Sequence, residues 1–232
     1  MAGKDRLRRI RAGTVINNTS EKREGKAAAA LSQVILYVTN KFSVRLVHDQ
    51  NMNLYSLIAD LRKRFPTVDF FAHFKTSSMK PDGGILSILD TRGKKYPILI
   101  TEVKNQGTND LRVREGKARQ AKGNAIERLG KNVIGLRTAL LHESIFPFIC
   151  FGDGCDFAPD SSILDRVVTI SMFGKLNKLR IHNEGNNGVF NRGSFFFREK
   201  KWTPSEMAKK MTAIAEGSVY YYFSKYGEES FR

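Results

Sequence analysis

The sequence is poor in residues that staple or ligate. It has two cysteines in 232 residues, Cys150 and Cys155. They form no paired Cys-x-x-Cys arrangement, which sets aside a zinc site, and both read as small buried side chains. The four histidines, His48, His73, His142 and His182, are scattered without ligand spacing and carry no assigned chemistry, although His73 lies near Asp82 in sequence. No run approaches the ~18 apolar residues of a membrane span, and the first residues lack the apolar core of a secretion signal. The expectation is a cytoplasmic protein with no membrane association. Walker-type loops, the Rossmann glycine pattern and the Gly-x-Ser-x-Gly elbow are missing too, which weakens nucleotide-triphosphate, dinucleotide and hydrolase-triad readings. The last shortage is of acids: 23 Asp plus Glu against 39 Lys plus Arg, a formal net charge of +16. An excess of that size points to a polyanion, and nucleic acid is the first partner to consider.

What is present suits a folded chain. Hydrophobic residues make up 41% and charged residues 27%, an ordinary globular balance. The length allows one substantial core and is short for two, so residues 1–232 are read as a single domain. Lys4, Arg6, Arg8, Arg9 and Arg11 stand in a stretch with almost no apolar content. Residues 1 to about 20 therefore read as a basic arm, either a solvated tail or a segment that orders on phosphates.

Helical spacing of apolar residues appears at Ala27, Leu31, Val34, Ile35 and Val38, and again from Leu54 to Phe65, where Pro66 ends it. Val68, Phe70, Ala72 and Phe74 alternate as a strand would. Asn105 to Lys122 is polar and basic, unable to pack a core by itself and suited to lie against a charged ligand. Ala125 to Leu141 is helical through Ile126, Leu129, Val133, Leu136 and Leu140. Phe146 to Phe151 reads as a buried strand beside a hairpin described below, and Val167 to Phe173 as another strand. Gly174 to Arg198 is rich in Asn, Lys and Arg and reads as a surface loop or a second DNA-facing segment; Phe195, Phe196 and Phe197 within it favour core packing. The final helix is announced by Thr203-Pro204-Ser205-Glu206, a capping box with proline at the first helical position. It runs to an aromatic cluster, Tyr220 to Phe223, expected to pack in the core or at a subunit contact.

The chemistry concentrates between Lys80 and Lys104. Gly84 to Leu89 is short and apolar, Thr91 to Lys94 has turn chemistry, and Tyr96 to Val103 is apolar and β-branched, which together predict a β-hairpin. Asp82 stands at its entrance and Glu102 near the end of its second strand. Residues i and i+2 of a strand share a face, so Glu102 and Lys104 project together while Val103 turns to the core. Two carboxylates and the Val103 main-chain carbonyl suit Mg²⁺, a hard cation that prefers oxygen. Such a site predicts phosphodiester hydrolysis, with Asp82, Glu102 and Lys104 as the catalytic residues. A Glu-x-Lys pair alone is common; the Pro-Asp turn, the hairpin and the apolar strand make the set more specific.

Four stretches carry a family resemblance: Ser77-Ser78-Met79-Lys80-Pro81-Asp82-Gly83-Gly84-Ile85, Glu102-Val103-Lys104-Asn105-Gln106-Gly107, Gly123-Asn124-Ala125-Ile126-Glu127-Arg128 and Glu143-Ser144-Ile145-Phe146-Pro147-Phe148. In residues, order and gaps they resemble the EcoRI-type type II restriction endonucleases, most strongly from Ser77 to Phe151. The resemblance implies an α/β fold of the restriction-endonuclease-like PD-(D/E)xK type, a mixed central β-sheet flanked by helices. It implies a homodimer acting on double-stranded DNA at a palindrome with an AATT core. Cleavage would depend on Mg²⁺ and leave 5′-phosphate ends, with a companion methyltransferase protecting host DNA. Asp82 and Glu102 match the metal-binding acids and Lys104 the catalytic lysine. Gly123, Asn124, Ala125, Glu127 and Arg128 match the segment that reads inner bases in the major groove. Asn can pair with adenine, Ala can touch a thymine methyl and Arg can donate to purine N7. Just before the glycine, Lys122 departs from the small residue of the family, and the later basic residues Lys178 and Arg180 align only loosely, so the DNA contacts that would fix the outer base pairs stay open. Two other readings stand beside this one: a structure-specific repair or junction nuclease of the same fold, and a non-catalytic DNA-binding protein.

Overall fold

The apolar run after the Thr91–Lys94 turn forms the middle strand of the sheet. The computed structural model describes residues 15–104, 109–119, 124–183 and 185–232, without the side chains of 15–20, 124, 125, 127, 186 and 187. In chain order the elements are α1 (Val15–Phe42), β1 (Leu46–Asp49), β2 (Met52–Asn53), α2 (Leu54–Arg64), β3 (Ser78–Met79), β4 (Ile85–Leu89) and β5 (Lys95–Lys104). There follow α3 (Asn109–Arg114), α4 (Asn124–Ala139), β6 (Phe148–Asp153), α5 (Ile163–Ile170), β7 (Ser194–Arg198) and α6 (Pro204–Tyr226). Five strands form one mixed sheet in the order β1-β4-β5-β6-β7. The β1/β4 and β4/β5 pairs are antiparallel, the β5/β6 and β6/β7 pairs parallel. Strands β2 and β3 make a separate two-stranded pair.

Both faces of the sheet are covered, as parallel strands require. Leu99, Val103, Ile149, Phe151 and Phe196 pack with α1 and α6 on one face. Ile100, Phe148, Cys150, Phe195 and Phe197 pack with α4 and α5 on the other. The alternation along each strand follows from its two-residue period. Helix α1 contributes Ala27, Ala30, Leu31, Val34 and Val38 to its layer, and α6 contributes Met207, Met211, Ile214, Val219 and Tyr222. The expected cap of α6 is present: Thr203 Oγ1 accepts from the Glu206 N–H at 3.2 Å, and the Glu206 carboxylate accepts from the Thr203 N–H at 3.0 Å. The chain leaves β5 at its carboxyl end and enters β6 in parallel, and α4 ends just before β6 begins. Helix α4 therefore runs antiparallel to β5, with its first turn projecting past the carboxyl ends of the parallel strands.

Three sequence expectations are corrected. Val68 to Phe74 is not a strand, because it has no strand to pair with. The Arg62 guanidinium takes the Phe70 carbonyl at 2.6 Å, while Phe71 and Phe74 lie exposed. Val167 to Phe173 is not a strand either: Ile163, Val167 and Ile170 recur at helical spacing and form the inner stripe of α5, which ends before the positive-φ pair Met172 and Phe173. Gly174 to Arg198 is not loop throughout, since it contains a 3₁₀ segment, Gly185–Phe190, and the buried strand β7. The basic arm lies outside the described residues up to 14, and from Val15 the chain is already helical.

Candidate active site

The Pro81–Gly84 turn is tied to the middle strand on both sides of Gly83. The Gly83 N–H donates to the Thr101 carbonyl at 2.9 Å and the Thr101 N–H to the Gly84 carbonyl at 3.1 Å. Gly84 has φ +74°, and an added Cβ would fall 2.7 Å from the Asp49 carbonyl oxygen and closer still to the His48 ring. Only glycine fits that place. His48 Nε2 lies 2.9 Å from the Gly83 carbonyl oxygen, a further tether from β1. The turn thereby holds Asp82 beside the end of β5.

Glu102 and Lys104 share the sheet face that carries Cys150, the residue paired with Glu102 across the β5/β6 ladder. Lys104 Nζ pairs with Glu102 Oε1 and stands 3.9 Å from Asp82 Oδ2. Glu102 is 1% exposed, so its charge depends on these partners. Its other oxygen, Oε2, accepts from the Asp82 N–H at 3.2 Å and from Asn132 Nδ2 at 3.3 Å. Asp82 is the open member, with 35% of its side chain exposed. Desolvation, and then the Glu102 carboxylate, push its carboxyl up to about 6. Burial alone would lower the Lys104 ammonium, but the Glu102 and Asp82 carboxylates outweigh it and hold the group above its ordinary value. Burial pushes the Cys150 thiol well up, leaving it a neutral filler behind the charged trio.

The oxygen donors converge from one side. Thr101 sends both its N–H and its carbonyl toward the Gly83–Gly84 turn. Two residues on, the Val103 N–H supports the Asp82 carboxylate, and the Val103 carbonyl faces the same way by strand alternation. Two carboxylates and a carbonyl fit a magnesium-sized cation that keeps part of its water shell. Among the described residues no cluster of three or more His, Cys, Asp or Glu side chains offers the closed cage of a structural metal site.

Asp82, Glu102 and Lys104 are thus brought together, and the other candidate residues distribute differently. Lys122 and Gly123 lie outside the described residues. Asn124, Ala125 and Glu127 form the first turn of α4, whose end projects past β5, and the Arg128 side chain is exposed there. Lys178 and Arg180 stand on the segment lining the outer edge of β7, beyond two strands and about 14 Å across the sheet from β5. Lys178 is exposed and Arg180 half-buried. Asn132 and His48 were not legible as site residues, because both touch the site only through tertiary contacts. The one signal for Asn132 is a polar residue interrupting the apolar spacing of α4 between Leu129 and Val133.

A family model described as "Restriction endonuclease EcoRI" matches residues 11–229. The type II restriction enzyme RsrI of Cereibacter sphaeroides is 33% identical over 197 residues, covering 68% of this chain and 69% of that protein. The type II restriction enzyme EcoRI of Escherichia coli is 30% identical over 141 residues, covering 54% of this chain and 51% of that protein.

Proposed function

The chain belongs to the EcoRI family of restriction endonucleases, type II site-specific deoxyribonucleases, and on that footing we propose that it cleaves double-stranded DNA at a short palindrome containing AATT, using Mg²⁺ held by Asp82, Glu102 and the Val103 carbonyl. The convergence of Asp82, Glu102 and Lys104 at the end of β5 carries the reading. When bound there, the cation supplies Lewis-acid neutralisation of the scissile phosphate and lowers the pKa of nearby water. Lys104, kept as an ammonium by its two carboxylates, donates to the oxygen of the attacking water and to the phosphate as negative charge develops. The water oxygen bonds to phosphorus and gives up one proton to solvent, the P–O3′ bond breaks, and the 3′ oxygen takes a proton from solvent in return. The products carry 5′-phosphate and 3′-hydroxyl ends.

The first turn of α4 supports sequence reading. Asn124, Ala125 and Arg128 are of the types that address adenine, a thymine methyl and purine N7 in the major groove. Glu127 beside Arg128 can brace the same turn of a second subunit. A palindrome calls for a twofold-symmetric reader, so the working form is a homodimer. The rest of the reading is a cytoplasmic enzyme with a companion methyltransferase. No helix among the described residues is long and apolar enough to cross a membrane. The test is digestion of a long, sequenced, unmethylated DNA with Mg²⁺, followed by sequencing of every end. Ends gathered at one palindrome with an AATT centre are expected; scattered ends, or none, would overturn the reading.

A further inference from the structure

We infer that Asn132 is a positioning residue that sets the Glu102 carboxylate for the cation, and so makes the metal site depend on how α4 is seated. The inference rests on the proposed cleavage site. A carboxylate turns almost freely about its last torsion, and Glu102 must present one oxygen outward while lying buried. Its Oε1 faces Lys104, whereas Oε2 is held by two donors from different parts of the fold, the Asp82 N–H at 3.2 Å and Asn132 Nδ2 at 3.3 Å. The first donor belongs to the turn that carries the other acid. The second belongs to α4, the helix whose first turn projects past the strands.

Without Asn132, one N–H is left on Oε2, and the carboxylate plane is freer to rotate about its last torsion, which swings Oε2 out of the direction in which a cation beside Asp82 would meet it. The 3.3 Å separation is long for such a bond. A few tenths of an ångström of movement of α4 toward the sheet strengthens it, and movement away breaks it. Asn124 and Asn132 are eight residues apart on one helix, about 12 Å along its axis. Any shift of this helix thus moves the donor on Glu102 together with the residues at its tip.

The experiment titrates Mn²⁺ into the protein bound to an unmethylated duplex carrying AATT-centred palindromes, following free Mn²⁺ by its paramagnetic resonance. Affinity for the same duplex is measured separately without divalent cations. Asn132→Ala is expected to weaken Mn²⁺ binding by about 10–100-fold, the usual effect of removing a hydrogen-bond partner behind a metal ligand, while metal-free DNA affinity stays as in the wild type. Asn132→Leu, which keeps the side-chain size and the helix, should behave alike. Wild-type Mn²⁺ affinity in both variants overturns the inference. So does a parallel loss of metal-free DNA affinity in both, which would mark Asn132 as merely structural. Glu102→Ala serves as the control. If it loses Mn²⁺ while the Asn132 variants keep it, only the role of Asn132 falls; if it keeps Mn²⁺, the metal-site reading falls as well.

Discussion

Lys104 holds a full charge where burial works against it. The energy that keeps it an ammonium comes from Glu102 and Asp82, the same groups proposed to hold the cation, so lysine and acids are a unit whose members cannot be exchanged singly. Removing the ammonium takes away one preorganised donor to the developing charge, which typically costs about 10²–10³-fold in rate. Lys104→Ala should therefore lose at least that much single-turnover cleavage while retaining DNA affinity, measured by gel shift. Cleavage within a few-fold of the wild type would remove Lys104 from the chemistry.

At the scale of elements, the turn between α4 and β6 is anchored to α6 chiefly through one buried carboxylate, with the Ser144 N–H donating to the Tyr221 hydroxyl and Lys225 to the His142 carbonyl beside it. Glu143 accepts from Lys225 Nζ at 2.7 Å, the Tyr226 hydroxyl at 2.8 Å and the Tyr221 hydroxyl at 2.9 Å, and it meets His142 Nε2 at 3.1 Å. Burial alone would raise its pKa, but the hydrogen bonds from His142, Lys225, Tyr226 and Tyr221 outweigh burial and bring it down to about 2. A depressed carboxylate stabilises the fold fully above its unfolded value near 4.5, and that contribution drains away as pH falls from there toward 2. The difference is worth roughly 3 kcal/mol. Chemical denaturation at pH 7 and pH 3 should show the loss in the wild type and a pH dependence smaller by about that share in Glu143→Gln, with Glu206, Asp90 and Glu216 contributing to both proteins; identical pH dependence in the two proteins would contradict the assignment. The expected pieces nearby were legible for local reasons. The hairpin, the Glu102–Lys104 face and the cap of α6 follow from strand period and capping chemistry within a few residues. Val167 to Phe173 misled because a short apolar run rich in Val and Ile suits either period, and packing under α4 decides it. Asn132, Glu143 and His48 draw their meaning from residues 30, 82 and 35 positions away, which no local pattern encodes.

At the scale of the whole molecule, one apolar surface stands out beside α4. Ile134 is 66% exposed and Val189 68% exposed, with Leu141 and Phe190 also bared. Arg137, placed between Ile134 and Leu141 along the chain, reaches the Gly188 carbonyl at 3.4 Å and ties the 3₁₀ segment to the helix. The homodimer proposed above needs an apolar contact between copies, and these apolar side chains supply one. If the proposed homodimer forms through them, Ile134→Asp combined with Val189→Asp should leave a monomer in sedimentation velocity and turn double-strand cuts into nicks. A sedimentation pattern equal to the wild type would send the interface elsewhere.

The outer margin of β7 has a different consequence. Asn177, held at φ +60°, donates its own N–H to the Phe195 carbonyl and uses its side-chain amide to satisfy the N–H and carbonyl of Phe197, while Arg180 reaches Ser194. A bare sheet edge is a template on which other chains polymerise. Here the Asn177 backbone and side chain, with the Arg180 main chain, take the groups that an added strand would bind, so this margin of the sheet is closed to edge-to-edge pairing.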